Sequence, residues 1–84
     1  MGTCIITFRS VTPAQRGEKV LRSAGIHCYL GRTPRWMEEQ GCGYSIRVQF
    51  ASPEALVELL RAHKVPFRKL YLRSEEGELE EVQL

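Results

Sequence analysis

Apolar positions along the chain recur with two different periods. Between Thr12 and Gly25, Ala14, Gly17, Val20, Leu21 and Ala24 return every three or four residues, the spacing that puts side chains on one face of a helix. Thr12 reads as its N-cap, Pro13 as its first helical position, Gln15 as the partner completing a capping box, and Gly25 as the stop. A second helix follows the same grammar. Ser52 caps, Pro53 begins, Glu54 suits the positive end of the dipole, and Leu56, Leu59, Leu60 and His63 form one stripe. His63, in the last turn, reads as a helix-end residue rather than a ligand.

Around these helices the period drops to two. Four strands are predicted: Thr3 to Phe8, Ile26 to Leu30, Tyr44 to Phe50 and Val65 to Leu72. In the third, Tyr44, Ile46, Val48 and Phe50 alternate with Ser45, Arg47 and Gln49, giving one buried and one wet face. In the second, Ile26, Cys28 and Leu30 face one way while His27 and Tyr29 face the other. The fourth is ambiguous, because Phe67 and Tyr71 oppose Leu70 and Leu72. The order βαββαβ predicts an α+β, ferredoxin-like fold: an antiparallel four-stranded sheet with two helices on one face. The other face, with Thr3, Ile5, Thr7, His27, Tyr29, Ser45 and Arg47, is left to water or to a homodimer.

With 84 residues, 43% apolar and 26% charged, the chain has material for one domain, here 1–73, and for no large enclosed cavity. Residues 74–84 form an acidic C-terminal tail. Five of the ten acidic residues are there, so Met1 to Arg73 carries twelve basic against five acidic residues, a net of +7. Such a body attracts anions. The tail is expected to fold back on that basic surface, of this chain or of a partner copy, with an extra edge strand through Leu79, Val82 and Leu84 as one way to dock; the plain alternative is a solvated, disordered tail, as is common for Glu-rich termini. No apolar run approaches the ~20 residues that span a bilayer, and the N-terminus lacks the build of a signal peptide, so the expected location is cytoplasmic and no membrane is involved.

Chemistry is bounded next. The absence of Asp removes EF-hand loops and the usual aspartate-based magnesium sites. Cys4, Cys28 and Cys42 are an odd number without Cys-x-x-Cys spacing, which argues against a disulfide framework and a zinc ribbon. His27 adjoins Cys28 in a predicted strand, where neighbours point to opposite faces. No metal and no cofactor are expected, and Cys4 and Cys28 read as small core residues. Nine of the twelve basic residues are Arg, but Ser45, Arg47 and Gln49 stand where an RNA-recognition sheet needs aromatics, and there is no Gly-x-x-Gly loop. Nucleic acid is not the expected partner.

The remaining feature is the junction from Gly31 to Gly43. Its thirteen residues exceed the ~2 to 5 of a hairpin loop, and long loops on small scaffolds tend to carry function. Cys42 lies between Gly41 and Gly43, which leave its sulfur open to approach. Arg32 and Arg35 belong to the same segment, and a guanidinium near a thiol favours the nucleophilic thiolate. The plain alternative is a tight entry into the third strand with a small residue tucked inward. Trp36 reads as a loop anchor before a lid over the thiol, and Glu38 and Glu39 as a solvated pair.

In order along the chain, Thr7-Phe8 with Ser10, Glu18-Lys19 with Leu21, Gly25-Ile26, Thr33-Pro34-Arg35, Cys42-Gly43 and Arg47 resemble the small bacterial selenium/sulfur carrier-like family, over about residues 3 to 72. The resemblance implies a cytoplasmic carrier of sulfur or selenium with Cys42 at the family's cysteine. A sulfur or selenium donor protein of the cysteine-desulfurase type and an acceptor protein are implied with it. The expected carrier thiol is Cys42. Its anion-stabilising set is Arg35, Arg32, Thr33, Gly41 and Gly43. The protein is not expected to be an enzyme, because no general acid or base stands convincingly beside the thiol. A regulatory or scaffolding module that binds a small anion or a partner protein, with Cys42 inert, is the alternative.

Overall fold

The computed structural model describes residues 2–32, 43–49, 52–74 and 77–82. Seven elements follow in the order β1 (Thr3–Phe8), α1 (Val11–Ser23), β2 (Cys28–Arg32), β3 (Tyr44–Gln49), α2 (Pro53–Ala62), β4 (Leu70–Arg73) and β5 (Leu79–Glu81). The strands form one antiparallel sheet in the order β2-β3-β1-β4-β5. The α+β class holds, but the sheet has five strands instead of the expected four. The fifth comes from the acidic tail. The Ser74 N–H donates to the Glu78 carbonyl at 2.8 Å, Gly77 takes a φ of 90° that only glycine adopts freely, and the Val82 N–H reaches the Leu70 carbonyl at 2.8 Å. Val82 also packs on the core. The tail therefore docks through backbone pairing and one apolar anchor, with a Lys69–Glu81 ion pair at 3.5 Å as a minor, half-exposed addition. Of the other two predicted anchors, Leu79 is half-buried opposite Arg73 and Leu84 lies outside the described residues.

Register explains which residues are inside. Cys4 pairs with Val48 and Leu72, Ile6 with Ile46 and Leu70, and Cys28 and Leu30 continue these rows on β2, so all face one side. Ala14 and Leu21 of α1 and Leu56, Val57 and Leu60 of α2 join them in a single cluster. The ambiguity of the fourth strand resolves here: Leu70 is fully buried and Leu72 packs on the cluster, while Tyr71 pairs with Ile5 on the opposite face. Each fully buried Leu, Ile or Phe adds about 1.5–3 kcal/mol by leaving water.

The opposite face is drier than alternation predicts. Tyr29, Arg47 and Gln49 are exposed, but Ile5, Thr7 and Ser45 are buried. Ile5 lies between the long side chains of Arg47 and Tyr71 in adjacent strands. Thr7 is tied to the segment entering β4 four times: its N–H and hydroxyl donate to the Lys69 carbonyl, its hydroxyl accepts from the Lys69 N–H, and its carbonyl accepts from the Arg68 N–H.

Three boundaries move. α1 begins after Ser10, not after Thr12, and Ser10 makes no side-chain cap bond, so the predicted capping box does not form. β2 runs to Arg32 and starts at Cys28, because the α1 exit consumes Ile26, whose N–H closes back on the Leu21 carbonyl after Gly25 has turned at φ 81°. His27 therefore sits ahead of the strand. β4 starts at Leu70 although Val65 is buried: Pro66 lacks the N–H a ladder needs, and Arg68 and Lys69 both bond to Thr7 instead of continuing a one-to-one register. The second helix follows its prediction, with the Ser52 hydroxyl accepting from the Ala55 N–H at 3.5 Å and the exposed His63 as C-cap.

After α2 the chain turns as it does after α1, but through Lys64 at φ 56° instead of a glycine. The Val65 N–H returns to the Leu60 carbonyl at 2.9 Å. A side chain in this left-handed conformation costs about 1 kcal/mol. Lys64→Gly is expected to raise the thermal midpoint by at most about 5 °C after its unfolded-state entropy is counted, and a fall would show that Lys64 makes a compensating contact.

Candidate functional site

Strand pairing brings several chain segments to one end of the sheet. Phe8 closes β1 opposite Tyr44, and Tyr44 opens β3 opposite Arg32, the last residue of β2. One residue further along are Arg9 on one chain and Gly43 on the other. Residues 33–42 connect Arg32 to Gly43, so both anchors of the segment carrying Cys42 are fixed at this end. Antiparallel pairing dictates this: β2 finishes where β3 starts.

Of the predicted site residues, two are described. Arg32 is exposed, with its guanidinium carbon 6.0 Å from the centroid of the Tyr44 ring, at the outer limit of a cation–π contact. Gly43 is buried against the sheet end. Cys42, Arg35, Thr33 and Gly41 lie outside the described residues, as do Trp36, Glu38 and Glu39.

The other two cysteines are accounted for. Cys4 has no exposed surface, and burial pushes its thiol pKa up, with the nearby charge of Glu54 adding in the same direction. Cys28 is 4% exposed, and its Sγ points at the Glu18 carbonyl 4.0 Å away. Burial raises its pKa too, against a smaller opposing pull from Arg22, whose guanidinium also reaches the Cys28 carbonyl at 3.3 Å. A raised thiol pKa means a small thiolate population at neutral pH. It also means stability that is complete below the ordinary thiol value of about 8.5 and is lost as pH rises from there through the raised folded value.

Among the described residues, no three His, Cys, Asp or Glu side chains group to hold a metal ion. No described helix is long and apolar enough to cross a membrane. Against family models, residues 3–72 match the family described as "Putative Se/S carrier protein-like". The chain belongs to this family. Comparisons with curated proteins and with solved structures give no match. The family segment spans β1 through Leu72 of β4 and stops short of β5, so the fifth strand lies outside the matched region.

The sheet end also holds Arg9, Phe67 and Lys69, none of which the sequence marks as a site residue. Nearly sixty residues separate Arg9 from the other two. The only signal in the sequence is the short cationic pair Arg68-Lys69 after Pro66, which composition alone does not set apart from other basic surface.

Proposed function

We propose that this protein carries sulfane sulfur or selenium, as a persulfide or selenopersulfide, on Cys42. The observation that carries the reading is the commitment of Cys4 and Cys28 to the core with raised thiol pKa values, which leaves cysteine chemistry to Cys42. Membership of the Se/S carrier-like family supports it. In this reading Arg35 is the principal stabiliser of the thiolate, and Arg32, Thr33, Gly41 and Gly43 complete the anion-stabilising set.

The transfer balances without an external oxidant. The Cys42 thiolate attacks the outer sulfur of a donor persulfide, a new S–S bond forms as the donor's S–S bond breaks, and the donor's inner sulfur leaves as a thiolate. With selenium the attacked atom is the outer selenium. The donor is a protein of the cysteine-desulfurase type, and an acceptor protein takes the cargo onward. The protein is a carrier, not an enzyme, and works in the cytoplasm. Its scaffold is the ferredoxin-like βαββαβ unit, whose strand order β2-β3-β1-β4 is extended by β5. The competing reading is a regulatory or scaffolding module with an inert Cys42.

Thiol alkylation separates the two. In the native protein at neutral pH, Cys42 is expected to react at least about tenfold faster than Cys4 or Cys28, resolved by peptide mass mapping. Equal rates at all three would favour the module.

A further inference from the structure

A cleft of about 540 Å³ opens where β1 leaves the sheet and the chain enters β4. One side of its chemistry is cationic, from Arg9, Arg68 and Lys69, and the other is apolar and stiff, from Pro13, Pro66 and Phe67. No carboxylate lines it. Pro13 and Pro66 have fixed φ, and the hydrogen bonds between Thr7 and residues 68 and 69 tie the chain beside the cleft to β1. Its volume falls within the ~300–1,000 Å³ of small-molecule sites.

We infer that this cleft binds a small organic oxyanion, a phosphate monoester with a flat apolar group. Arg9 and Lys69 beside one cavity repel one another, and an oxyanion relieves that repulsion while accepting charge-assisted hydrogen bonds from a guanidinium fork. Phe67, half-buried and packed on the core, supplies a fixed ring face for the apolar group. Among the described residues no ion pair involves Arg9, and Lys69 faces only Glu81, 3.5 Å away at about 40% exposure for both side chains. That carboxylate belongs to β5. The tail strand thus places a weak competing anion on one of the cleft's cations. Ser10 also lines the cleft, and its hydroxyl makes no helix-cap bond. Nothing here depends on the chemistry of Cys42.

The test is a backbone amide NMR titration of the full chain at low salt, with inorganic phosphate and with phenyl phosphate. Shifts are expected to concentrate on residues 9–13 and 66–69. Phenyl phosphate should bind about fivefold or more tighter than inorganic phosphate, through the Phe67 wall. Arg9→Gln and Lys69→Gln should each weaken phenyl phosphate about tenfold, the value of one charge-assisted hydrogen bond, while Arg61→Gln on α2 leaves it unchanged. Glu81→Gln should tighten it about twofold. Equal affinity for both probes, shifts scattered over Arg16, Arg61 and Arg73, or no effect of the Arg9 and Lys69 variants would overturn the inference. The Cys42→Ser protein should bind phenyl phosphate as the unmutated protein does, so failure of the carrier reading and failure of this site are seen separately.

Discussion

Cys42→Ser should abolish sulfur loading while leaving the unfolding transition in place. Reduced protein incubated with a cysteine desulfurase and cysteine is expected to gain the mass of one sulfur atom, and the serine variant none. The expectation follows from reactivity, because only a thiolate attacks a persulfide, and a cysteine with pKa ~8.5 supplies a few per cent of it at pH 7. Cys4 and Cys28 supply less, since burial raises both. They are also walled off: a transfer needs the outer sulfur of another protein's persulfide to reach the attacking sulfur, and Cys4 has no exposed surface. Arg35→Ala should slow loading about tenfold and raise the Cys42 pKa by about one unit, which corresponds to ~1.4 kcal/mol of lost thiolate stabilisation. Arg32→Ala should do less, because the Arg32 guanidinium is held near the Tyr44 ring at an exposed strand end. An adduct that persists in Cys42→Ser, or no adduct on the unmutated protein, sinks the carrier reading.

Phe8→Ala should cost about 3–5 kcal/mol, the usual range for emptying a buried aromatic site, out of a total of roughly 4–12 kcal/mol for a domain of this size. Phe8 has no exposed surface, and its ring sits under α1 at Gly17. Gly17 makes that approach possible: a Cβ there would lie 3.1 Å from Phe8 Cζ and 3.3 Å from Ile46 Cδ1. Gly17→Leu should therefore destabilise by at least about 2 kcal/mol through overpacking, despite leucine's better helix propensity. The two sites are coupled. In a Phe8→Leu background the penalty of Gly17→Leu should fall, which a double-mutant cycle in urea reads directly. A Phe8→Ala cost under about 1 kcal/mol would mean that the helix does not rest on this ring. Phe8 also pairs with Tyr44, next to Gly43, so losing the ring loosens the anchor of the Cys42 segment as well.

Much of this was legible along the chain because it depends on local rules. The 3.6-residue spacing of Ala14, Gly17 and Leu21 and the Ser52-Pro53 start mark helices wherever they occur, since sterics and orphan N–H groups act within a few residues. The period-2 alternation from Tyr44 marks β3 for the same reason. Gly25 announced its left-handed turn because a residue without Cβ is cheapest there, whereas Lys64 adopts the same turn without any signal in its side chain. The cap at Thr12 was misplaced because Ser10 and Thr12 are both good caps, and the handover from β1 decides between them.

The sequence alone determined two helices, four of the strands, the burial of Cys4 and Cys28, and the singling out of Cys42 between two glycines. Only the tertiary structure decided the rest. Whether an acidic tail pairs or stays in water depends on a free edge at β4, which no local pattern reports. The dryness of Ile5, Thr7 and Ser45 depends on neighbours in other strands, and alternation records only which face a residue takes. The cleft is the clearest case. Arg9 and Lys69 are unremarkable cations until antiparallel pairing of β1 with β4 sets them around one space, because charge acts through distance in space and the sequence specifies only distance along the chain.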